Sequence, residues 1–164
     1  MKLIIATIVI LCLCGCFGKR PTLETGHEGK TMPSMKLLML DSTTAIDTKT
    51  WMKGKPVVLI DFSPFCPYCR AVTQKIIDEN KDLSDIQFVF LSQFPITTLK
   101  NYTTEYKLKS YSNITVAWDN DGSFGKYFNS PGVPCIAIYN KDRLLKQVLM
   151  GKVNAGLIKD IALE

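Results

Sequence analysis

Little in this chain is suited to holding a metal or a nucleic acid. The sequence contains a single histidine, His27, and no second Cys-x-x-Cys pair besides Cys66 and Cys69. A structural zinc site takes four ligands, and this pair would need two more, so metal binding is disfavoured and no cofactor is expected. The 20 Lys and Arg residues gather into no basic stripe although the formal net charge is +5. We therefore interpret the mild basicity as solvated surface and expect no nucleic-acid partner.

Long apolar runs, repeats and low-complexity tracts are also missing. The apolar stretch at residues 3–13 is too short to span a bilayer comfortably. With 164 residues, 46% of them hydrophobic, the chain is long enough for one domain with an ordinary core and short appendages.

The N-terminus has the pattern of a secretory signal, because Lys2 precedes the apolar stretch. The stretch ends in Leu-Cys-Gly-Cys at residues 13–16, which resembles the lipobox of bacterial lipoproteins. That resemblance implies that residues 1–15 are a removed signal peptide and that Cys16 is acylated and held in a membrane. Ordinary signal cleavage is the alternative, and the charges of Lys19 and Arg20 disfavour a retained transmembrane anchor.

Residues 16–33 are polar and rich in Gly, Pro and charge, so we predict a flexible, lipid-anchored tether that includes His27. The folded domain is predicted over residues 34–164. In that domain only Cys66, Cys69 and Cys135 remain, too few for a disulfide scaffold of the small secreted kind. They are enough for one reactive pair and one spare thiol.

The domain alternates between strand and helix patterns. Residues 35–47 predict a hairpin, and the near-continuous apolar run at residues 55–62 predicts a strand buried on both faces. Further strands are expected at 86–92, 114–118, 134–139 and 143–151, and helices at 67–80, 97–108, 122–128 and 154–164. This order describes an α/β fold with a mixed sheet and helices on both faces.

The cysteine pair falls between a buried strand and a helix. The first N–H groups of a helix are unpaired and favour negative charge, so a thiolate at Cys66 is stabilised there. Pro67 suits the first helical turn, and Cys69 lies one turn inside the helix, within disulfide reach. We predict that Cys66 attacks and Cys69 resolves the mixed disulfide. A purely structural disulfide is the alternative reading of this pair.

The motif Val133-Pro134 at the start of a later strand completes a pattern that resembles the thioredoxin superfamily, in particular its TlpA-like membrane-tethered branch. The resemblance covers nearly all of residues 35–163. It implies a thioredoxin fold with an N-terminal hairpin, and a cis-proline at Pro134 facing the cysteines. It further implies that the backbone at Val133 pairs with the substrate, and that Phe65, Pro67 and Tyr68 complete the substrate-binding residues.

Three positions depart from this family pattern. Val72 stands where relatives often have an acidic residue, so Asp61 is the candidate for acid–base assistance. Asp61 is one residue closer to the first cysteine than the buried aspartate of thioredoxins, and alternation along a strand makes such a shift matter. The alternative is an aspartate that is merely hydrogen-bonded. Phe65 replaces the usual Trp, and Cys135 is either a small buried hydrophobe or another disulfide partner.

The expected function is therefore that of a thiol–disulfide oxidoreductase that reduces disulfides of exported proteins. The chain is expected to be a monomer in the bacterial cell envelope, facing the periplasm and anchored by lipid. A membrane protein is expected to supply its electrons. A disulfide oxidase or isomerase is the alternative among enzymes, and a redox-silent binding module is the alternative from another class.

Overall fold

The computed structural model describes residues 21–51 and 53–164. Three sequence-based predictions concern residues outside this description: the signal peptide, the lipidation site Cys16 and the first residues of the tether. Within residues 21–51 and 53–164, seven strands form one mixed sheet: β1 (Lys36–Met39), β2 (Ala45–Asp47), β3 (Val57–Asp61), β4 (Gln87–Ser92), β5 (Ile114–Trp118), β6 (Cys135–Tyr139) and β7 (Leu145–Met150). The strand order is β2-β1-β5-β4-β3-β6-β7.

In the described part of the chain, four α-helices cover this sheet: α1 (Pro67–Asp78), α2 (Ile96–Glu105), α3 (Ser123–Phe128) and α4 (Ala155–Leu163). Short 3-10 turns occupy Thr48–Thr50, Asn80–Leu83 and Leu108–Ser110. The predicted strands and helices are confirmed, with ends that shift by a few residues.

The strand β3 lies at the centre of the fold and all five of its residues are buried. It pairs in parallel with β4 and antiparallel with β6. Its side chains alternate between two hydrophobic layers, as side chains of a strand must. Val58 and Ile60 pack into a layer with helices α1, α2 and α4, whereas Val57 and Leu59 pack into a layer that contains α3. The prediction of a strand buried on both faces is confirmed.

The hairpin of β1 and β2 extends the sheet beyond β5. The two strands pair antiparallel, with Leu37 opposite Ile46, and β1 then pairs antiparallel with β5. Asp41 closes the turn, because its carboxylate accepts the backbone N–H groups of Thr43 and Thr44 at 2.9 and 2.8 Å. The N-terminal hairpin extension expected from the sequence is therefore present.

The structure differs from the sequence-based expectation at residues 21–33, which were predicted as a flexible tether. Residues 21–32, here called the N-terminal strap, run antiparallel along β7, with bridges from Thr22 to Leu149 and from Thr31 to Leu144. The strap ends at Met32, which is 5% exposed and belongs to the α3 layer. Since β7 is otherwise an edge strand with unpaired backbone groups, the strap also covers the edge of the sheet.

Candidate active site

Cys66 lies at the junction of the central strand and the first helix. It is the N-cap residue of α1, with φ −77° and ψ 120°, and Pro67 follows at the first helical position. The Cys66 sulfur accepts the backbone N–H of Cys69 at 3.4 Å. A sulfur placed there can hold negative charge, because it faces the unpaired N–H groups at the start of the helix. This is the position that the sequence predicted for the attacking thiol.

Cys69 differs from Cys66 in its surroundings. Cys66 is half-buried, whereas Cys69 is 1% exposed and packs in the layer of α1, α2 and α4. Burial raises the pKa of the Cys69 thiol to about 12, and its hydrogen bond with Cys66 adds to the rise. Both residues carry free thiols. The pair thus consists of one accessible sulfur and one shielded sulfur that stays protonated at neutral pH.

The Val133–Pro134 peptide bond is cis, as the family resemblance implied. The thiol of Cys66 donates a hydrogen bond to the Val133 carbonyl at 3.7 Å. The fold thereby brings together two motifs that are 67 residues apart in sequence. The half-buried Val133 packs with Cys66 at the margin of the same hydrophobic layer.

Two exposed aromatic residues flank Cys66 in the chain. Phe65 and Tyr68 are 70% and 59% exposed, which is unusual for large apolar side chains. The Phe65 ring meets the Phe94 ring edge to face, with centroids 5.4 Å apart. We call these three residues the aromatic collar. Phe65 and Tyr68 were predicted as substrate-binding residues, but the sequence analysis missed Phe94, which follows β4 and is distant in sequence.

Asp61 ends β3 and lies on the opposite face of the sheet from Cys69. It pairs in register with Cys135 of β6, and directly paired residues project to the same face. Cys135 belongs to the α3 layer, whereas Cys69 belongs to the other layer. Asp61 is 9% exposed, and burial together with the negative charge of Asp119 raises its pKa to about 7. From the other face of the sheet, the charge of Asp61 contributes to the raised pKa of the Cys69 thiol.

Cys135 is completely buried beside the cis-proline. Burial raises the pKa of its thiol to about 11. Because it faces the α3 layer, the sheet separates its side chain from that of Cys69. This buried, apolar environment favours the interpretation of Cys135 as a small core residue.

Arg70 ties the loop before Cys66 to helix α2. Its guanidinium donates to the Pro64 carbonyl at 3.3 Å and forms an ion pair with Glu105. It also lies 5.3 Å from the centroid of the Tyr106 ring, within the range of a cation–π contact. Sequence reasoning missed this residue, because its partners are distant in the chain.

These observations place a thiol pair, a cis-proline and an aromatic surface at one end of the sheet. A family model described as Redoxin matches residues 27–149, well over half of the chain. The chain belongs to the Redoxin family. Over 92 residues this redoxin is 26% identical to the soluble secreted antigen MPT53 of Mycobacterium tuberculosis, a match that covers 56% of the chain and 51% of that protein. The chain thus spans about half the length of the curated relatives it matches.

Solved structures share the fold of this redoxin. A secreted disulfide oxidoreductase of M. tuberculosis, homologous to DsbE of Escherichia coli, superposes with a TM-score of 0.63 at 22% identity, covering 78% of this chain and 94% of that one. StoA of Bacillus subtilis gives a TM-score of 0.62 at 13% identity, covering 80% and 97%. These similarities confirm the thioredoxin-type fold that the resemblance implied.

No group of three or more His, Cys, Asp or Glu side chains in residues 21–51 and 53–164 is arranged to hold a metal ion. Within the same ranges, no helix combines the length and the apolar character needed to cross a bilayer.

The raised pKa of Asp61 predicts a pH-dependent contribution to stability. Its ordinary pKa is 3.8 and the folded value is about 7, so the folded protein binds this proton more tightly than the unfolded chain does. The free energy of unfolding should therefore fall, by at most about 4 kcal/mol from this group, as pH rises from about 4 to about 7. Asp61→Asn removes the titration. Urea unfolding of both proteins at several pH values should show the difference between them changing in that window; a constant difference would contradict the assignment.

Proposed function

We propose that this redoxin is a thiol–disulfide oxidoreductase that reduces disulfides of exported proteins through Cys66 and Cys69. The observation that carries the proposal is the pairing of an accessible sulfur at a helix start with a shielded sulfur one turn later. Thiol–disulfide exchange needs one thiolate that attacks from solvent and a second thiol that acts only after a mixed disulfide has formed.

The proposed reaction has two exchange steps. The Cys66 thiolate attacks one sulfur of the substrate disulfide, so that the substrate S–S bond breaks, a mixed disulfide forms and the other substrate sulfur leaves as a thiolate that takes up a proton. Cys69 then loses its proton and attacks the Cys66 sulfur, which releases the second substrate thiolate. The substrate is reduced by two electrons, and the protein is left with a Cys66–Cys69 disulfide. A dithiol donor must restore the pair.

The second step requires a base, because Cys69 stays protonated at neutral pH. Asp61 has a pKa of about 7 and would be partly ionised there. Its position on the other face of the sheet favours an electrostatic role over direct proton transfer. An ionised Asp61 opposes ionisation of Cys69, as it raises the pKa of that thiol. We propose that water accepts the Cys69 proton, that the released substrate thiolate takes up a proton from water in turn, and that Asp61 favours the Cys69 thiolate when it is itself protonated.

We propose that the substrate lies across the aromatic collar and the backbone at Val133. The collar offers apolar rings around Cys66, and Pro67 is exposed beside it. The backbone at Val133 would pair with an extended substrate segment, and the cis Pro134 would help to present it, as the family resemblance implies. A flexible substrate segment with apolar side chains near its disulfide fits this surface best.

The proposed setting is the bacterial cell envelope. Two observations support export: the signal-like N-terminus, and the similarity to proteins described as secreted. We further propose that Cys16 carries a lipid that anchors the protein, that it acts as a monomer facing the periplasm, and that a membrane dithiol protein donates its electrons. The relatives' names indicate neither this anchor nor this donor.

Substitution should distinguish the attacking role of Cys66 from the resolving role of Cys69. Cys69→Ser leaves the attacking sulfur but removes the resolving one, so a mixed disulfide between Cys66 and a disulfide peptide should accumulate. Non-reducing electrophoresis and peptide mass mapping would detect it. Cys66→Ser should form no such adduct, and Cys135→Ser should behave as the unchanged protein. An adduct on Cys135 in the Cys69→Ser variant would contradict the assigned roles.

The direction of electron flow is tested by the reduction potential of the pair. A reductase should have a potential near that of thioredoxin, about −270 mV, when equilibrated with dithiol buffers. A value near about −120 mV would mean that the reduced form is unusually stable and would replace the proposal with a disulfide oxidase. Failure to form any reversible disulfide would indicate a binding module without redox activity.

The aromatic collar should determine how well a peptide disulfide binds. Phe65→Ser removes an exposed ring that would be covered by the substrate, and we expect kcat/KM for an apolar disulfide peptide to fall about tenfold. The rate at which iodoacetamide alkylates Cys66 should be the same in this variant as in the unchanged protein. Leu163→Ser is the matched control, because Leu163 is 55% exposed at the opposite end of the sheet. An equal loss in both variants would contradict a specific role of the collar.

A further inference from the structure

The N-terminal strap contacts the two elements that hold the ends of the cis-proline loop, the end of β7 and helix α3. At the end of the loop, the Pro21 carbonyl accepts the N–H of Met150 at 2.8 Å, and the next residue, Gly151, donates to the Pro134 carbonyl at 2.9 Å. A neighbouring hydrogen bond joins the Leu23 N–H to the Val148 carbonyl at 2.8 Å. The end of β7 is thus hydrogen-bonded to the strap through Met150. The residue that follows, Gly151, is hydrogen-bonded to Pro134.

At the start of the loop, the contact is made by His27. Its ring stacks on Tyr127 of α3, with centroids 4.3 Å apart and an interplanar angle of 19°. The His27 Nε2–H donates to the Tyr127 carbonyl at 3.2 Å, and the ring meets Phe128 edge to face. Helix α3 ends at Phe128, and the chain continues through Asn129 into the loop.

The loop itself, residues 129–134, is fully buried only at its last residue, Pro134, and Val133 before it is half-buried. Pro131 and Gly132 are exposed. Within the loop, Ser130 donates from its hydroxyl to the Gly132 carbonyl at 2.8 Å, and its N–H donates back to Gly125 in α3. The position of Val133 relative to Cys66 therefore depends on how the two ends of the loop are held.

We propose that the strap positions the cis-proline loop for substrate binding and that His27 is its main positioning residue. The inference rests on the proposed function, and it adds a role for a segment that sequence alone assigns to a tether. Cys66 is held mainly by α1 and by the contact of Arg70 with Pro64, and it contacts the loop through its hydrogen bond to the Val133 carbonyl. Loss of His27 should therefore weaken binding of the substrate segment far more than it changes the reactivity of the thiol.

The test compares single variants of the full chain. His27→Ala removes both the stacking and the hydrogen bond, whereas His27→Phe keeps a stacking ring and His27→Gln keeps an N–H donor. Glu24→Ala is the matched control, since Glu24 is an exposed residue of the same strap. The readouts are KM and kcat for a disulfide peptide, the rate of Cys66 alkylation by iodoacetamide, and hydrogen exchange of the amides in residues 129–133.

We expect His27→Ala to raise KM about tenfold, the size expected for the loss of one ring contact and one hydrogen bond. Its kcat and alkylation rate should change much less than its KM, and exchange should accelerate in residues 129–133. His27→Phe and His27→Gln should each restore part of the KM, and Glu24→Ala should match the unchanged protein.

The possible results separate this inference from the proposed function. Unchanged loop exchange and KM in His27→Ala would overturn the inference. Exchange that accelerates evenly across the domain would also overturn it, because His27 would then only stabilise the fold. If loop exchange accelerates selectively while even the unchanged protein fails to reduce the peptide, positioning of the loop by His27 is supported and the proposed reductase function is rejected.

Discussion

The hydrogen-bonded pairing of β3 with both of its neighbours is the constraint on which the site depends. β3 pairs with β4 on one side and β6 on the other, and its five buried residues serve both hydrophobic layers. The chain leaves β3 through a short loop and begins α1 at Cys66. The pairing with β6 brings Val133 and Pro134 to the same end. The register of three buried strands therefore places the substrate-binding backbone at the same end of the sheet as the thiol.

Much of this arrangement is readable in the sequence, for identifiable physical reasons. The run at residues 57–60 is continuously apolar because β3 is covered on both faces, and such a run predicts a central strand. Pro67 after Cys66 indicates a helix start. These are local signals, so the junction that carries the cysteine pair can be placed without tertiary information. The cis-proline follows from a family resemblance, since no local pattern distinguishes it from a trans-proline at a strand end.

The parts that the sequence does not predict depend on contacts between distant residues. The strap is held largely by backbone hydrogen bonds to β7, and backbone pairing of this kind leaves little trace in side-chain pattern. A polar segment with Gly and Pro is therefore predicted from its sequence to be a tether. Arg70 and Phe94 were missed for a related reason: a charge on a helix and an aromatic after a strand are unremarkable until the fold supplies Glu105 and Phe65 as partners.

The route of the strap places the first and last described residues at opposite ends of the sheet. Pro21 is hydrogen-bonded to Met150, one strand away from the cis-proline. Glu164 lies near Lys55 and Pro56, where β3 begins. A small label attached at Pro21 would therefore report on the reactive end of the sheet. The same label at Glu164 would report on the far end.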